Sequence, residues 1–308
     1  MERLCIKSRM KRKTRAFTVL EVLVTLFVVA LLLAVMLPAV MHARELARRI
    51  QCTNNLRQLG IALHQYHDHV RSFPRAWGLD SGKPRFASSW ASQLLPQIEA
   101  QNLREPDLQT NSSGLFDSYE DAAKWQLSIF TCPSDIEEPA FELSYETTGH
   151  DSLAGASFSK DPTSPPAVRN GYLPTANYVS VYGTVEADEF EELELGNRIV
   201  FGDGSIIDDR GIRFHELLRG ASQTLLVGER KMAMVPSTWF GVDLDGEDAA
   251  CRLTGSAITR PNCEPCDECE FSSRHSGGSL FLWADGHVTL VPDSVDTTLY
   301  RQSAKREM

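Results

Sequence analysis

Residues 17 to 41, FTVLEVLVTLFVVALLLAVMLPAVM, carry one charged side chain, Glu21, and follow a leader with seven Lys or Arg and one Glu. A run this apolar cannot form the wet face of a globular domain. At about 1.5 Å per residue a helix of this length spans roughly 36 Å, enough to cross a hydrocarbon core of about 30 Å with some tilt. A cleavable secretory signal has an apolar region of only about 7–15 residues and ends in small residues, which Met41-His42-Ala43 does not supply. A retained span is therefore expected. Arg3, Lys7, Arg9, Lys11, Arg12, Lys13 and Arg15 before it outnumber Arg44, Arg48 and Arg49 after it. That bias keeps the N-terminus cytoplasmic and exports the rest. Residues 1–16 carry +6, leaving −16 on the remainder of a chain whose net charge is −10. So acidic a body excludes a nucleic-acid partner, which calls for a basic face.

Export changes how the cysteines read. Cys5 stays in the leader, whereas Cys52, Cys132, Cys251, Cys263, Cys266 and Cys269 enter an oxidising compartment. Their even number points to disulfides. CEPCDEC, holding Cys263, Cys266 and Cys269, together with Cys251 also offers four thiolates for a tetrahedral zinc site. Disulfides are the simpler expectation, and free thiols are a third state; connectivity cannot be read from the sequence.

Helical spacing continues past the apolar run. Leu46, Ile50, Thr53, Leu56, Leu59, Leu63, Tyr66 and Val70 recur at steps of three and four, which marks one face of an exported amphipathic helix over 42–70. Pro38 is expected to bend the helix. His64, His67 and His69 read as surface polar residues. From Arg71 onward, Pro, Gly and Asp turn signals end the helix, SSWASQLLPQIEAQ and SYEDAAKWQLSIFTCP suggest short helices, and the stretch from Ser144 to Ala167 reads as loop. NYVSVYGTVE, NRIVFGDG, QTLLVGER and SLFLWADGHVTLV read as strands, the last a hairpin closed by a two-residue Asp285-Gly286 turn. A helix followed by strands predicts an α+β fold, with a head over 71–308 built on a mainly antiparallel sheet.

The basic leader, FTVLE and the unbroken apolar helix closely resemble the N-terminus of type IV prepilins and type II secretion pseudopilins. The resemblance implies cleavage between Ala16 and Phe17 by a prepilin peptidase, N-methylation of Phe17, an assembly role for Glu21 as the fifth residue after the cut, and a helix-bending role for Pro38. It also implies a pilin-like fold, with the long helix packed on the sheet. One departure is Ala16, where that family usually has Gly. An ionisable group inside a span is costly unless paired, and the resemblance supplies a partner: the new amino group of Phe17 in a neighbouring subunit. A carboxylate that merely reaches the interface is the plainer alternative.

RRIQCTNNLRQLGIALHQYHD, FTCPSD, NYVSVYG, SQTLLVGER and RHSGGSLFLWADG, in this order, resemble the bacterial DUF1559 family of prepilin-like proteins, whose C-terminal signature is His, nine residues, then Asp-Gly. His275, Asp285 and Gly286 fit it, within 275–286. Because Cys52 and Cys132 both lie inside such motifs, they are expected to pair. In a plain reading His275 only caps the loop before the hairpin; in another, His275, Asp285 and His287 gather round a metal or a partner. No firm third ligand is visible, so neither a metal nor any other cofactor is assigned. No nucleophile elbow, phosphate loop or HExxH motif is present, and the chain is expected not to be an enzyme. The expectation is a single-pass subunit of the inner membrane with an extracytoplasmic head. It assembles with other pilin or pseudopilin subunits in a type II secretion or type IV pilus-like system. A tethered binding module that never polymerises is the alternative.

Overall fold

The computed structural model describes residues 18–80, 83–98, 115–135, 138–147, 167–187, 202–208, 210–244, 248–263 and 269–307. Ala16, Phe17 and Cys266 lie outside them, as does most of NRIVFGDG. The chain divides into two compact units, Met1–Leu46 and Ala47–Met308. Helix α1 (Val19–Val70) runs through Pro38 without interruption.

In the first unit every side chain from Val19 to Met41 is exposed. Among the described residues α1 is the one helix long and apolar enough to cross a membrane. An apolar surface all round a helix is what a lipid solvent requires. At its start the Glu21 N–H donates to Thr18 Oγ1 (3.2 Å) and the Val22 N–H to the Thr18 carbonyl (3.2 Å), so Thr18 caps the helix. Glu21 sits in the first turn, where the helix dipole favours a carboxylate.

The second unit is α+β. Its strands are β1 (Trp77–Asp80), β2 (Lys83–Ser89), β3 (Ala140–Thr147), β4 (Ala167–Pro174), β5 (Tyr178–Gly183), β6 (Leu225–Glu229), β7 (Gly241–Asp243), β8 (Thr254–Ser256), β9 (Gly278–Trp283) and β10 (Val288–Pro292). Among the described residues two short α-helices accompany them, α2 (Tyr119–Ala123) and α3 (Thr297–Ala304). Among the described residues the strands form a five-stranded sheet β10-β9-β6-β5-β8, a three-stranded sheet β1-β2-β7 and the β3-β4 pair. All pairings are antiparallel except β5 with β8.

The central strands are covered on both faces. Tyr178, Tyr182, Leu226, Leu280 and Leu282 join the core that holds the α1 residues Cys52, Leu56, Leu59 and Leu63. Val179, Val181, Leu225 and Phe281 join a second cluster with Phe271 and with Tyr300 and Ala304 of α3. Alternation along β5 and β9 sends successive apolar side chains to opposite clusters; in β6 Leu225 faces one cluster while Leu226 and Val227 both join the other, where the pairing with β9 shifts register. Burial on both faces is why LLVGE and SLFLW read as continuous rather than alternating apolar runs.

Four sequence expectations change. The buried face of α1 covers Cys52, Leu56, Leu59, Gly60, Ala62 and Leu63, whereas Leu46, Ile50 and Val70 are exposed. RAWGLDSGKPRF contains the β1–β2 hairpin rather than turns alone. Ser144–Thr147 and Ala167 belong to β3 and β4 rather than to a loop. The β9–β10 connection has three residues, Ala284, Asp285 and Gly286, since Trp283 N–H donates to the His287 carbonyl (2.9 Å) and Gly286 N–H to the Trp283 carbonyl (2.9 Å). Gly286 alone in that connection takes a positive φ, 91°. That pattern is a tight turn followed by a left-handed glycine, which absorbs the extra residue that a two-residue hairpin would not need.

Candidate functional site

Cys52, on the first buried turn of the head's helical segment, is disulfide-bonded to Cys132 across 80 residues of sequence. His275 Nε2 lies 3.5 Å from Cys132 Sγ and 3.5 Å from Glu229 Oε1. Glu229 ends β6, and its Oε2 accepts the Leu280 N–H of β9 (3.0 Å). Its Oε1, buried, accepts no hydrogen bond. The ligating atoms of Cys52, Cys132, Glu229 and His275 all lie within 4.8 Å of one another, and all four residues are buried. Tyr178 O–H reaches the Cys52 carbonyl (3.5 Å); burial, reinforced by the Glu229 charge, pushes its phenol pKa well up and keeps it a neutral donor.

A polar lattice holds this cluster in place. The Cys132 N–H donates to Asn177 Oδ1 (2.8 Å), and Asn177 Nδ2 donates to Asp135 Oδ2 (2.7 Å) and to the Arg230 carbonyl (3.2 Å). Asp135 also accepts the Met232 N–H (2.7 Å) and Arg274 Nε (2.8 Å). Next to Glu229, the Arg230 guanidinium turns the opposite way. It is buried and donates to the carbonyls of Glu270 (3.0 Å), Thr254 (2.9 Å), Cys251 and Cys269. Cys251 and Cys269 are disulfide-bonded to each other, and Cys263 is disulfide-bonded as well. Glu229 and Arg230, adjacent in VGER, thus lie near different disulfides. The crevice lined by Cys132, Asp135, Asn177, Glu229, Arg230 and Ser273 is too tight to hold even a water-sized guest, so it is not a pocket for an organic ligand.

His275 does not meet the other polar residues of its motif. Asp285 and His287 pair with each other at the exposed tip of the hairpin (Oδ1 to Nδ1, 2.5 Å), while His275 is buried at the other end of β9. Six strand residues at about 3.3 Å each separate the two ends by roughly 20 Å. The alternative that gathered His275, Asp285 and His287 round one ion is therefore corrected. His275 is also more than a loop cap, since its ring faces Cys132 and Glu229.

The motifs that meet here, FTCPSD, NYVSVYG, VGER and RHSGG, come from four separate parts of the chain. A family model described as "Protein of unknown function (DUF1559)" matches residues 41–298. The chain belongs to the DUF1559 family. No match was found among curated proteins or among solved structures.

In this DUF1559 protein the nine-residue spacing between His275 and Asp285 has a structural meaning. His275 and Asp285 flank β9, which lies along the helical segment from Cys52 to His64, itself about 18 Å long at 1.5 Å per residue. At one end Cys52 meets Cys132 and His275. At the other, His64 Nε2 donates to the Ala284 carbonyl (2.9 Å), so His64 is a packing contact rather than a surface residue. Between them Gly60 lets the helix approach: a Cβ there would lie 2.9 Å from Leu282 Cδ1 and 3.7 Å from Gly286 Cα. Gly60→Leu should therefore destabilise the head by about 1–3 kcal/mol through overpacking, and Gly60→Ala by less, because the Leu282 methyl can move aside. Thermal unfolding of the two variants measures the difference; equal melting temperatures would show that the helix is not held this closely.

Proposed function

We propose that this DUF1559 protein is a single-pass, pilin-like structural subunit. A prepilin peptidase removes residues 1–16, the new amino group of Phe17 is methylated, and the apolar half of α1 anchors the chain in the inner membrane. The N-terminus faces the cytoplasm and the head is extracytoplasmic. The subunit then joins other pilin or pseudopilin subunits in a type II secretion or type IV pilus-like assembly, and it performs no catalysis. The observation that carries this reading is the uninterrupted exposed apolar surface from Val19 to Met41, with Glu21 as its one charge. A lipid bilayer suits that surface first, and the apolar core of a helical fibre suits it next. Within such a core the Glu21 carboxylate needs a cation, which the amino terminus of a neighbouring Phe17 provides.

The test is the mature N-terminus. Mass spectrometry of the protein extracted from membranes should find a chain that begins at N-methylated Phe17. An intact Met1 or leader sequence sinks the processing step. Glu21→Ala should leave membrane insertion unchanged but reduce fibre incorporation; if incorporation is unaffected, the tethered, non-polymerising module is the better reading.

A further inference from the structure

The pilin-like reading makes no use of the buried cluster in the head. We propose that Cys52, Cys132, His275 and Glu229 form a metal site that takes up a divalent ion of the zinc class when the Cys52–Cys132 bond is reduced. A dithiol passes two electrons and two protons to the two sulfurs, breaking the S–S bond, and leaves as a disulfide. The ion then displaces one proton from each thiol and binds two thiolates, the imidazole and the carboxylate.

Geometry is the main support. Bonds of about 2.3 Å to sulfur and about 2.0–2.1 Å to nitrogen or oxygen place neighbouring ligands of a tetrahedral ion about 3.3–3.8 Å apart. His275 Nε2 is 3.5 Å from Cys132 Sγ and 3.5 Å from Glu229 Oε1, and all four ligand atoms fall within 4.8 Å. Sulfur and carboxylate face the same ring nitrogen. A nucleophile–histidine–acid relay uses opposite nitrogens of the ring, so convergence on one point fits coordination and not proton relay.

The surroundings agree. The Leu280 N–H holds Glu229 Oε2 and so aims Oε1 into the cluster, where it accepts no hydrogen bond. Outer contacts of this kind orient metal-binding carboxylates. A buried carboxylate beside two buried thiolates is unfavourable without a cation. Two sulfurs with one imidazole and one carboxylate select zinc or cobalt(II) over magnesium or calcium.

The experiment uses the full chain in detergent with cobalt(II) as the probe. A phosphine reductant opens the disulfides in the presence of cobalt, thiol titration confirms reduction, and circular dichroism follows the fold. The expected result is a thiolate-to-cobalt charge-transfer band with tetrahedral visible bands in the reduced protein and not in the oxidised one. His275→Ala and the isosteric Glu229→Gln should each weaken cobalt binding by roughly tenfold or more. Cobalt held instead by Cys251, Cys263, Cys266 and Cys269 would give bands indifferent to both substitutions, and that outcome overturns the proposal. So does a fully reduced chain that shows no charge-transfer band, whether or not it stays folded.

Discussion

Replacing Cys52 and Cys132 together by alanine should lower the stability of the head by roughly 4 kcal/mol. The bond closes a loop of 80 residues, and the chain-entropy model assigns about 3 kcal/mol to a 15-residue loop and about 4.7 to one of 100. Alanine avoids leaving hydroxyl groups in a site where Cys52 and Cys132 are buried. Denaturant unfolding followed by tryptophan fluorescence suits the test, because Trp90 and Trp239 are both buried in the core that contains Cys52. The helical segment carrying Leu56, Leu59 and Leu63 should also exchange its amide hydrogens faster, since the covalent link at its start is gone. A loss below about 1 kcal/mol would mean that packing along β9 already restrains the unfolded chain's loop, against the entropic account.

Arg230→Met should be comparably severe. The side chain is 1% exposed, and its guanidinium donates to four carbonyls, those of Cys251, Thr254, Cys269 and Glu270. Methionine fills much of the volume but takes the donor from those carbonyls, of which that of Cys269 keeps the Ser256 N–H (2.9 Å); an acceptor left buried and unpaired costs about 1–3 kcal/mol before relaxation. It also removes a buried charge that is held by main-chain carbonyls. A net loss of roughly 3–5 kcal/mol is expected, the usual cost of breaking a buried charged network by one partner. Arg230→Lys should not restore it, because an ammonium group has three donors on one atom and cannot reproduce the planar fork. Melting temperature and the yield of folded protein measure both variants; a lysine variant equal to the parent would show that charge alone matters there.

Several elements were readable from residue order. The apolar run, its helical continuation, the α+β order and the strands around LLVGE and SLFLW all follow from period and local propensity, which act over neighbouring residues. The β1–β2 hairpin was missed because GLDSGKP is dense in turn residues, and the strand character of its flanks depends on pairing with β7. The hairpin at Asp285 was placed correctly but counted one residue short, since a left-handed glycine after a tight turn and a two-residue turn share the same Asp-Gly dipeptide. Glu229, Arg230, Asn177 and Asp135 lie inside local motifs that give them no role. Their partners lie in distant segments, such as Cys132 for Asn177 and Leu280 for Glu229.

Residue order alone carries the membrane-competent helix, the acidic body that follows it and the α+β class, because hydropathy, charge and periodicity are local properties of the chain. Which segments meet is set by packing between distant parts of the chain. That packing set the buried stripe of α1 at Cys52 to Leu63, because a helix buries only the face that other elements cover. It also separated His275 from Asp285 and joined it to Cys132 and Glu229, because an extended strand carries two residues ten positions apart to opposite ends of a sheet.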